Sequence, residues 1–376
     1  MIYFDNAATT YPKPPSVQRA VNRAVVIFGG NPGRSGHKYS LRVAEEIFKT
    51  RALCAGFFGA EIENVVFTPN CTYALNLAIK GIMANGGHII ISSLEHNSVA
   101  RPAFALSNNN CSFSIAEVDE NDDVTIENFE KLITPNTKAI ACTIASNVTG
   151  QILPFKRIAM LCKKYNLCFI ADGAQACGVI PLKMSDGFNF LCAAGHKGLY
   201  GTTGTGLLIS DGKYPLSTIV EGGTGTTSDK LEQPDFMPER FESGTLNTVG
   251  ILSLYAGLNF IRNLTLKNIF EHETALCNLF IKKASNIKGI RIYRKRNCCY
   301  VPLVSFNLDG CTAEELTAQL DKAGFALRGG LHCAILAHKC NGTENKGTVR
   351  FAPSFFNNEQ EVIMLVNKLK KISTFF

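Results

Sequence analysis

Charge is scarce in this chain. Only 18% of its 376 residues are Asp, Glu, Lys or Arg, against 46% that are apolar. That balance is far from the polar, highly charged composition that keeps a chain unfolded, so an intrinsically disordered protein is excluded. A concentrated basic face is missing as well. The net charge of +7 is spread along the sequence, and its clusters are as short as Arg294, Lys295 and Arg296, which read as solvated surface. Nucleic acid is therefore not an expected partner. No run of about 18 uncharged apolar residues occurs, so no membrane helix is expected. No basic segment followed by an apolar stretch opens the chain, which makes the cytoplasm the expected location. Cysteine is plentiful, at 14 residues, but no two stand at C-x-x-C spacing. Zinc-ribbon and thioredoxin-like readings lose their usual signature. The cysteines lie in apolar runs such as NLCFIA and NFLCAA, where reduced core thiols are the natural reading. Internal repeats, low-complexity tracts and long linkers are also lacking.

What is present is a long alternation. The length exceeds one ordinary core and implies a large domain with a smaller companion. Between about residues 60 and 210 the runs NVVFT, GHIIISS, SFSIAEV, KAIACTIAS, LCFIAD, FNFLCAA and GTGLLIS read as strands. TYALNLAIKGIM, TIENFEKLI and PFKRIAMLCKKYN between them have helical spacing. Strands that are apolar throughout and alternate with helices predict an α/β fold with a mainly parallel sheet covered on both faces. Its active residues belong at the carboxyl ends of the strands. Beyond about residue 250 come helix LSLYAGLNFIRNL, a long helix reaching Ala284, strand YVPLVSFNL, helix AEELTAQLDKAG and helix NEQEVIMLVNKLKKI, the pattern of a smaller α+β domain. The expected division is 1–255 and 256–376, with the N-terminal segment packing on the smaller domain.

Asp172 and Lys197 form the most informative pair. Asp172 ends one apolar strand, and AAGHKG places His196 and Lys197 at the end of the next. An aldehyde cofactor with a pyridine ring needs a lysine for its Schiff base and a carboxylate for its ring nitrogen. Either residue alone would read as a strand-end turn or a surface lysine. TPNCT, between a strand and a helix start, offers Cys71 and Thr72 as a phosphate cradle, though a simple N-cap serves equally well. The glycine-rich pieces GTTGTG and GGTGTT lack G-x-G-x-x-G order and read as loops. RGGLHCAILAHKC holds His332, Cys333, His338 and Cys340. Spacing leaves a zinc site, inert packing and a thiolate nucleophile favoured by Arg328 and His332 all open.

With these residues in view, the chain resembles the class V, fold type I pyridoxal-phosphate enzymes, and among them the cysteine desulfurases. The resemblance runs through YFDNAATT, NPGRSGH, EHNS, SNVTG, DGAQA, AGHKG, RFESGTLNT, RGGLHCA and VRFAPSFFN in order, covering nearly the whole chain. It implies that Lys197 carries the cofactor, Asp172 pairs with the pyridine nitrogen, His96 stacks on the ring and Gln175 bonds its phenolic oxygen. Asn147 would lie near that oxygen and the substrate, while Thr72, Cys71 and His196 would hold phosphate. Arg350 would clamp the substrate carboxylate, with Arg328 and His37 also at the substrate. Thr245 would reach a partner subunit's phosphate, implying a homodimer. The HCA setting of Cys333 is similar to that of the type II desulfurases, which are close to selenocysteine lyases.

Three positions depart from the family pattern. Ala194 stands where many relatives have a phosphate-binding serine, Gly178 where a histidine or similar polar group often occurs, and Ile335 where proline is common. The implied activity converts L-cysteine to L-alanine and leaves a persulfide on Cys333 for an acceptor protein, with no metal. The alternatives are a selenocysteine lyase, and a class V aminotransferase or lyase without sulfur transfer. A non-enzymatic sulfur or metal carrier built on the His and Cys cluster ranks far lower, since it leaves Lys197 and Asp172 without work.

Overall fold

The computed structural model describes residues 1–33, 36–107 and 110–374. In chain order they form β1 (Ile2–Tyr3), α1 (Pro15–Ile27), α2 (Lys38–Phe58), β2 (Val65–Thr68), α3 (Cys71–Ile82), β3 (Gly87–Ser92), α4 (Asn97–Leu106), β4 (Cys111–Ala116), α5 (Asp122–Lys131), β5 (Thr137–Thr143), α6 (Phe155–Lys164), β6 (Cys168–Asp172), β7 (Phe190–Ala194) and β8 (Gly206–Ser210). There follow α7 (Thr248–Leu264), α8 (Leu266–Ala284), β9 (Ile290–Ile292), β10 (Val304–Leu308), α9 (Ala313–Lys322), β11 (Phe325–Ala326), β12 (Arg328–Gly330), α10 (Ile335–Cys340), β13 (Thr348–Phe351) and α11 (Glu359–Ile372).

The seven expected strands form one sheet in the order β2-β8-β7-β6-β5-β3-β4. Its pairings are parallel from β7 across to β4, and β8 alone runs antiparallel, against both β2 and β7. The carboxyl ends of β2, β3, β5, β6 and β7 therefore share one edge, the place where open α/β sheets hold ligands. Strands β5 to β8 are buried almost throughout because apolar clusters cover both faces. Helices α1 and α2 were not among the expected elements.

A separate apolar core holds the smaller sheet, ordered β12-β13-β10-β9. At its centre Phe280 stacks on Phe351 with ring centroids 4.5 Å apart, and Phe4 lies 4.7 Å from Phe351 on the other side. Truncating Phe351 to Ala would cost about 3–5 kcal/mol. Phe4 arrives there because β1 pairs with β11, so the N-terminal segment packs with the C-terminal elements. The expected division at 255/256 falls inside α7, whose Leu258 and Ile261 bury in the larger core. Helix α8 serves both cores, with Ile269 in the larger one and Leu276, Cys277 and Phe280 in the smaller. Helices α7 and α8 meet at 81°, and among the described residues no single helix is long and apolar enough to cross a membrane.

Candidate active site

The residues singled out from sequence converge at the carboxyl edge of the large sheet. A cavity of about 480 Å³ is lined there by Thr72 and Cys71 after β2, His96 after β3, Asn147 after β5, Asp172 and Gln175 after β6, and His196 and Lys197 after β7. Each strand ends in a short turn, so alternation along the chain becomes clustering in space. Lys197 lies inside, and burial pushes its ammonium pKa below the usual lysine range, with Asp172 opposing that shift. Its carbonyl is held by Thr10 Oγ1 at 2.7 Å, while that of His196 receives Thr9 Oγ1, Thr10 N and Lys13 Nζ at 3.1, 3.1 and 2.7 Å. The N-terminal segment thus holds the lysine-bearing turn.

Asp172 Oδ1 accepts the Ala174 N–H at 2.9 Å, and the Cys71 thiol lies 3.6 Å away. Burial raises the Cys71 pKa well above its ordinary value, so this sulfur is a neutral neighbour and not a competing anion. Gln175 Nε2 donates to the Ala7 carbonyl at 3.0 Å. Helix α3 opens with Asn70 as its cap, whose side chain accepts the Tyr73 N–H at 2.9 Å. The first amides of that helix, at Cys71 and Thr72, have no intrahelical acceptor and suit an anion. Thr72 Oγ1 bonds Ser98 Oγ at 2.7 Å, which in turn bonds His96 Nδ1 at 2.8 Å. The Ser98 N–H also donates to that ring nitrogen, at 3.0 Å. Burial lowers the His96 pKa, so the neutral ring carries its proton on Nε2. Sequence reasoning did not assign Ser98 a role, although it ends the EHNS motif.

Cys333 borders the neighbouring outer groove, alongside Thr72, His96 and Ser98. Its thiol is exposed and lies 3.5 Å from Arg328 Nη2. The turn carrying it is unusual, because His332 and Cys333 both have positive φ, at 48° and 57°. Such residues cost on the order of 1–3 kcal/mol each and persist where surrounding contacts fix them. Two contacts do so: Asn147 Nδ2 donates to the His332 carbonyl at 2.7 Å and Asn97 N to the Cys333 carbonyl at 2.8 Å.

The expectation that His332 supplies positive charge beside Cys333 is corrected here. Its Nε2 donates to the Thr348 carbonyl at 2.9 Å, and burial pushes its pKa far down, so the ring is neutral. Arg328 alone of the two is a cation at the thiol. Among the described residues no group of three or more metal-binding side chains gathers. His338 bonds Thr343 Oγ1 at 2.8 Å and Cys340 faces Ser93, while Cys333 turns outward.

Arg350 is fully buried, with Nη2 on Asp5 Oδ1 at 2.8 Å and Nη1 on the Asn147 carbonyl at 3.0 Å. Its Nε is left without a partner, as are Asn147 Oδ1 and His196 Nδ1. Arg328 faces Arg350 across the β12–β13 ladder. Burial, with Lys197 and Lys13 adding to it, lowers the His196 pKa to about 4. Five expected residues are not part of the cavity lining: Cys333, Arg328, Arg350, His37 and Thr245. His37 is exposed and caps α2 by accepting the Ser40 N–H at 3.2 Å. Thr245 is exposed and borders a different groove with Tyr73 and Asn247. Arg34 and Ser35 of NPGRSGH lie outside the described residues. Gly178 has a steric reason to be glycine: its φ is 79° and an added Cβ would sit 2.3 Å from the Gly198 oxygen. Ala194 lines the cavity without a polar group.

The family profile "Aminotransferase class-V" matches residues 2–365. A protein of Borreliella burgdorferi named a probable cysteine desulfurase is 30% identical over 99% of this chain and 92% of its own length. A probable cysteine desulfurase of Methanothermobacter thermautotrophicus is 29% identical over 99% of this chain and 94% of its own. The apo structure of a cysteine desulfurase from Thermococcus onnurineus superposes with a TM-score of 0.93 at 28% identity, covering 100% of this chain and 95% of that one. With a profile that spans nearly its full length and a fold shared end to end, the chain belongs to the class-V aminotransferase family.

Proposed function

We propose that this protein is a pyridoxal-phosphate-dependent cysteine desulfurase, converting L-cysteine to L-alanine and retaining the sulfur as a persulfide on Cys333. One observation carries the reading beyond the family: an exposed thiol, 3.5 Å from a guanidinium, sits on a left-handed turn tied to the Lys197 and Asp172 cavity through Asn147 and to the start of α4 through Asn97. A class-V aminotransferase or lyase would use Lys197 and Asp172 but has no task for that thiol. The relatives named as desulfurases support the same conclusion.

The residues present fit the cofactor. Two buried atoms without partners, His196 Nδ1 and Asn147 Oδ1, belong to residues lining a cavity that holds a buried lysine, a carboxylate and a helix N-terminus. The α3 amides, Thr72 and His196 would hold the phosphate, Asp172 the ring nitrogen, Gln175 and Asn147 the ring oxygen, and His96 the ring face. Bound there, pyridoxal phosphate supplies an aldehyde for the substrate amine and a ring that draws electrons from Cα.

The chain's own residues do the rest. With burial favouring its neutral form, Lys197 is suited to exchange with the substrate amine and to take the Cα proton. Arg350 and Arg328, neighbours across β12 and β13, would hold the substrate carboxylate. Cys333 attacks the substrate sulfur, the Cβ–Sγ bond breaks and its electrons stay with the carbon skeleton, which takes up a proton and leaves as L-alanine. The sum is L-cysteine plus Cys333 thiol giving L-alanine plus Cys333 persulfide, which an acceptor protein then discharges. A homodimer is part of the reading, because Thr245 is exposed on a groove separate from its own cavity and is left to serve a neighbour's. Monomeric sedimentation at concentrations giving full activity would refute the dimer.

Purified holoenzyme incubated with L-cysteine, and separately with L-selenocysteine, tests the whole reading when alanine and Cys333 persulfide are measured together. Equal amounts of both in the first turnover with cysteine are expected. A keto-acid product without persulfide would replace the assignment with an aminotransferase, and turnover of selenocysteine alone would replace it with a selenocysteine lyase.

A further inference from the structure

Cys333 lines an open groove of about 810 Å³ between α3 and α4. Helical spacing builds its walls. Thr72, Asn76 and Lys80 recur at every fourth residue along one face of α3, and Asn97 and Arg101 do the same along α4. Eight residues at the α-helical rise place Lys80 about 12 Å from Thr72, beyond the phosphate cradle. No carboxylate lines the groove, and neither Lys80 nor Arg101 forms an ion pair among the described residues. Arg101 is exposed and Lys80 half-buried. The inner cavity does not include Cys333. The thiol therefore lines the more open of two adjoining spaces, the one whose charged side chains are cationic.

Resting on the desulfurase reading, the geometry points to this groove as the docking site for the sulfur acceptor, an acidic peptide segment of an acceptor protein that carries its cysteine between carboxylates. Charge complementarity selects it: Lys80 and Arg101 line the same groove as the thiol, and among the described residues no anion lines it or pairs with them. The transfer balances without an oxidant. The acceptor thiolate attacks the outer sulfur of the Cys333 persulfide, the bond between that sulfur and Cys333 Sγ breaks, and Cys333 leaves as thiolate. Acceptor thiol plus Cys333 persulfide gives acceptor persulfide plus Cys333 thiol.

The test loads holoenzyme with one equivalent of L-cysteine, removes alanine, and measures persulfide discharge by three blocked tripeptides, Glu-Cys-Glu, Gln-Cys-Gln and Lys-Cys-Lys. Each rate is normalised to the peptide's own rate with a small disulfide. At low salt the acidic peptide is expected to discharge the persulfide about three- to tenfold faster than the neutral one, as two exposed charge pairs allow. The preference should shrink at 0.5 M salt, on the order of a 4 Å Debye length, and disappear or invert in the double variant K80E/R101E. Alanine formation in the loading step should be unchanged in that variant. A flat ranking of the peptides, or a K80E/R101E variant that slows all three equally, overturns the proposal. If cysteine loads no persulfide, the desulfurase reading itself fails, and site-resolved alkylation of Cys333 then judges the groove. Iodoacetate should outpace iodoacetamide by a ratio that falls at least threefold in K80E/R101E, and an unchanged ratio refutes the cationic groove.

Discussion

Glu273 offers a measurable consequence of how the two cores meet. Its carboxyl is buried in α8 beside Tyr200, whose hydroxyl lies 3.4 Å away, and it lines a second cavity that Lys197 also lines. Burial pushes its pKa from an ordinary 4.5 to about 8. In the unfolded chain the group loses its proton as pH passes 4.5, whereas the folded protein keeps it until about 8. Stability is therefore full below 4.5, falls across the interval and levels off above 8. At about 1.4 kcal/mol per pH unit the interval bounds the loss at about 5 kcal/mol. Glu273→Gln removes the ionisation and keeps an acceptor for Tyr200. Urea unfolding followed by far-ultraviolet circular dichroism should show variant and parent within about 1 kcal/mol near pH 5, with the variant ahead by about 2–5 kcal/mol at pH 8.5. Glu95, buried and raised to about 8 in the same way, leaves the variant a weaker slope of its own. An equal difference at both pH values would refute a protonated Glu273.

Lys197→Ala should abolish the covalent cofactor linkage, so the purified variant lacks yellow colour and borohydride fixes no cofactor to it; a fixed adduct would sink the assignment. Gly178→Ala forces a Cβ to within 2.3 Å of the Gly198 oxygen at a φ of 79°. A loss on the order of 2–4 kcal/mol in thermal unfolding is expected, with lower cofactor occupancy because Gly198 adjoins Lys197; a stability unchanged within about 0.5 kcal/mol would show that the turn relaxes. Cys333→Ser should cut alanine formation from L-cysteine more than about a hundredfold while leaving cofactor binding intact, because a hydroxyl is almost never ionised near neutral pH. Alanine made by the serine variant at the parent rate would remove Cys333 from the reaction.

The sheet was legible because each central strand is an uninterrupted apolar run flanked by turn residues, and a fully buried parallel strand needs nothing else. The pairing of Asp172 with Lys197 followed from the same pattern, since adjacent parallel strands bring their ends to one edge. Other features depend on contacts between distant segments, which local pattern does not encode. Nothing in Arg-Gly-Gly-Leu-His-Cys-Ala marks His332 and Cys333 as left-handed, because the bonds that fix them come from Asn147 and Asn97, about 185 and 236 positions away. The charge state of His332 was misjudged for a related reason. A histidine beside a cysteine reads as a cation until the Thr348 carbonyl and the burial around it are known. Likewise, Thr9 and Thr10 were visible as the end of a motif, but their work and that of Lys13 on the His196 and Lys197 carbonyls appears only once β1 has paired with β11 and brought the N-terminal segment to the sheet edge. The nucleophile and the lysine are thus each held by backbone carbonyls bonded from far along the chain. Substitutions at Asn147, Thr10 or Lys13 should accordingly disturb placement without removing any reacting group.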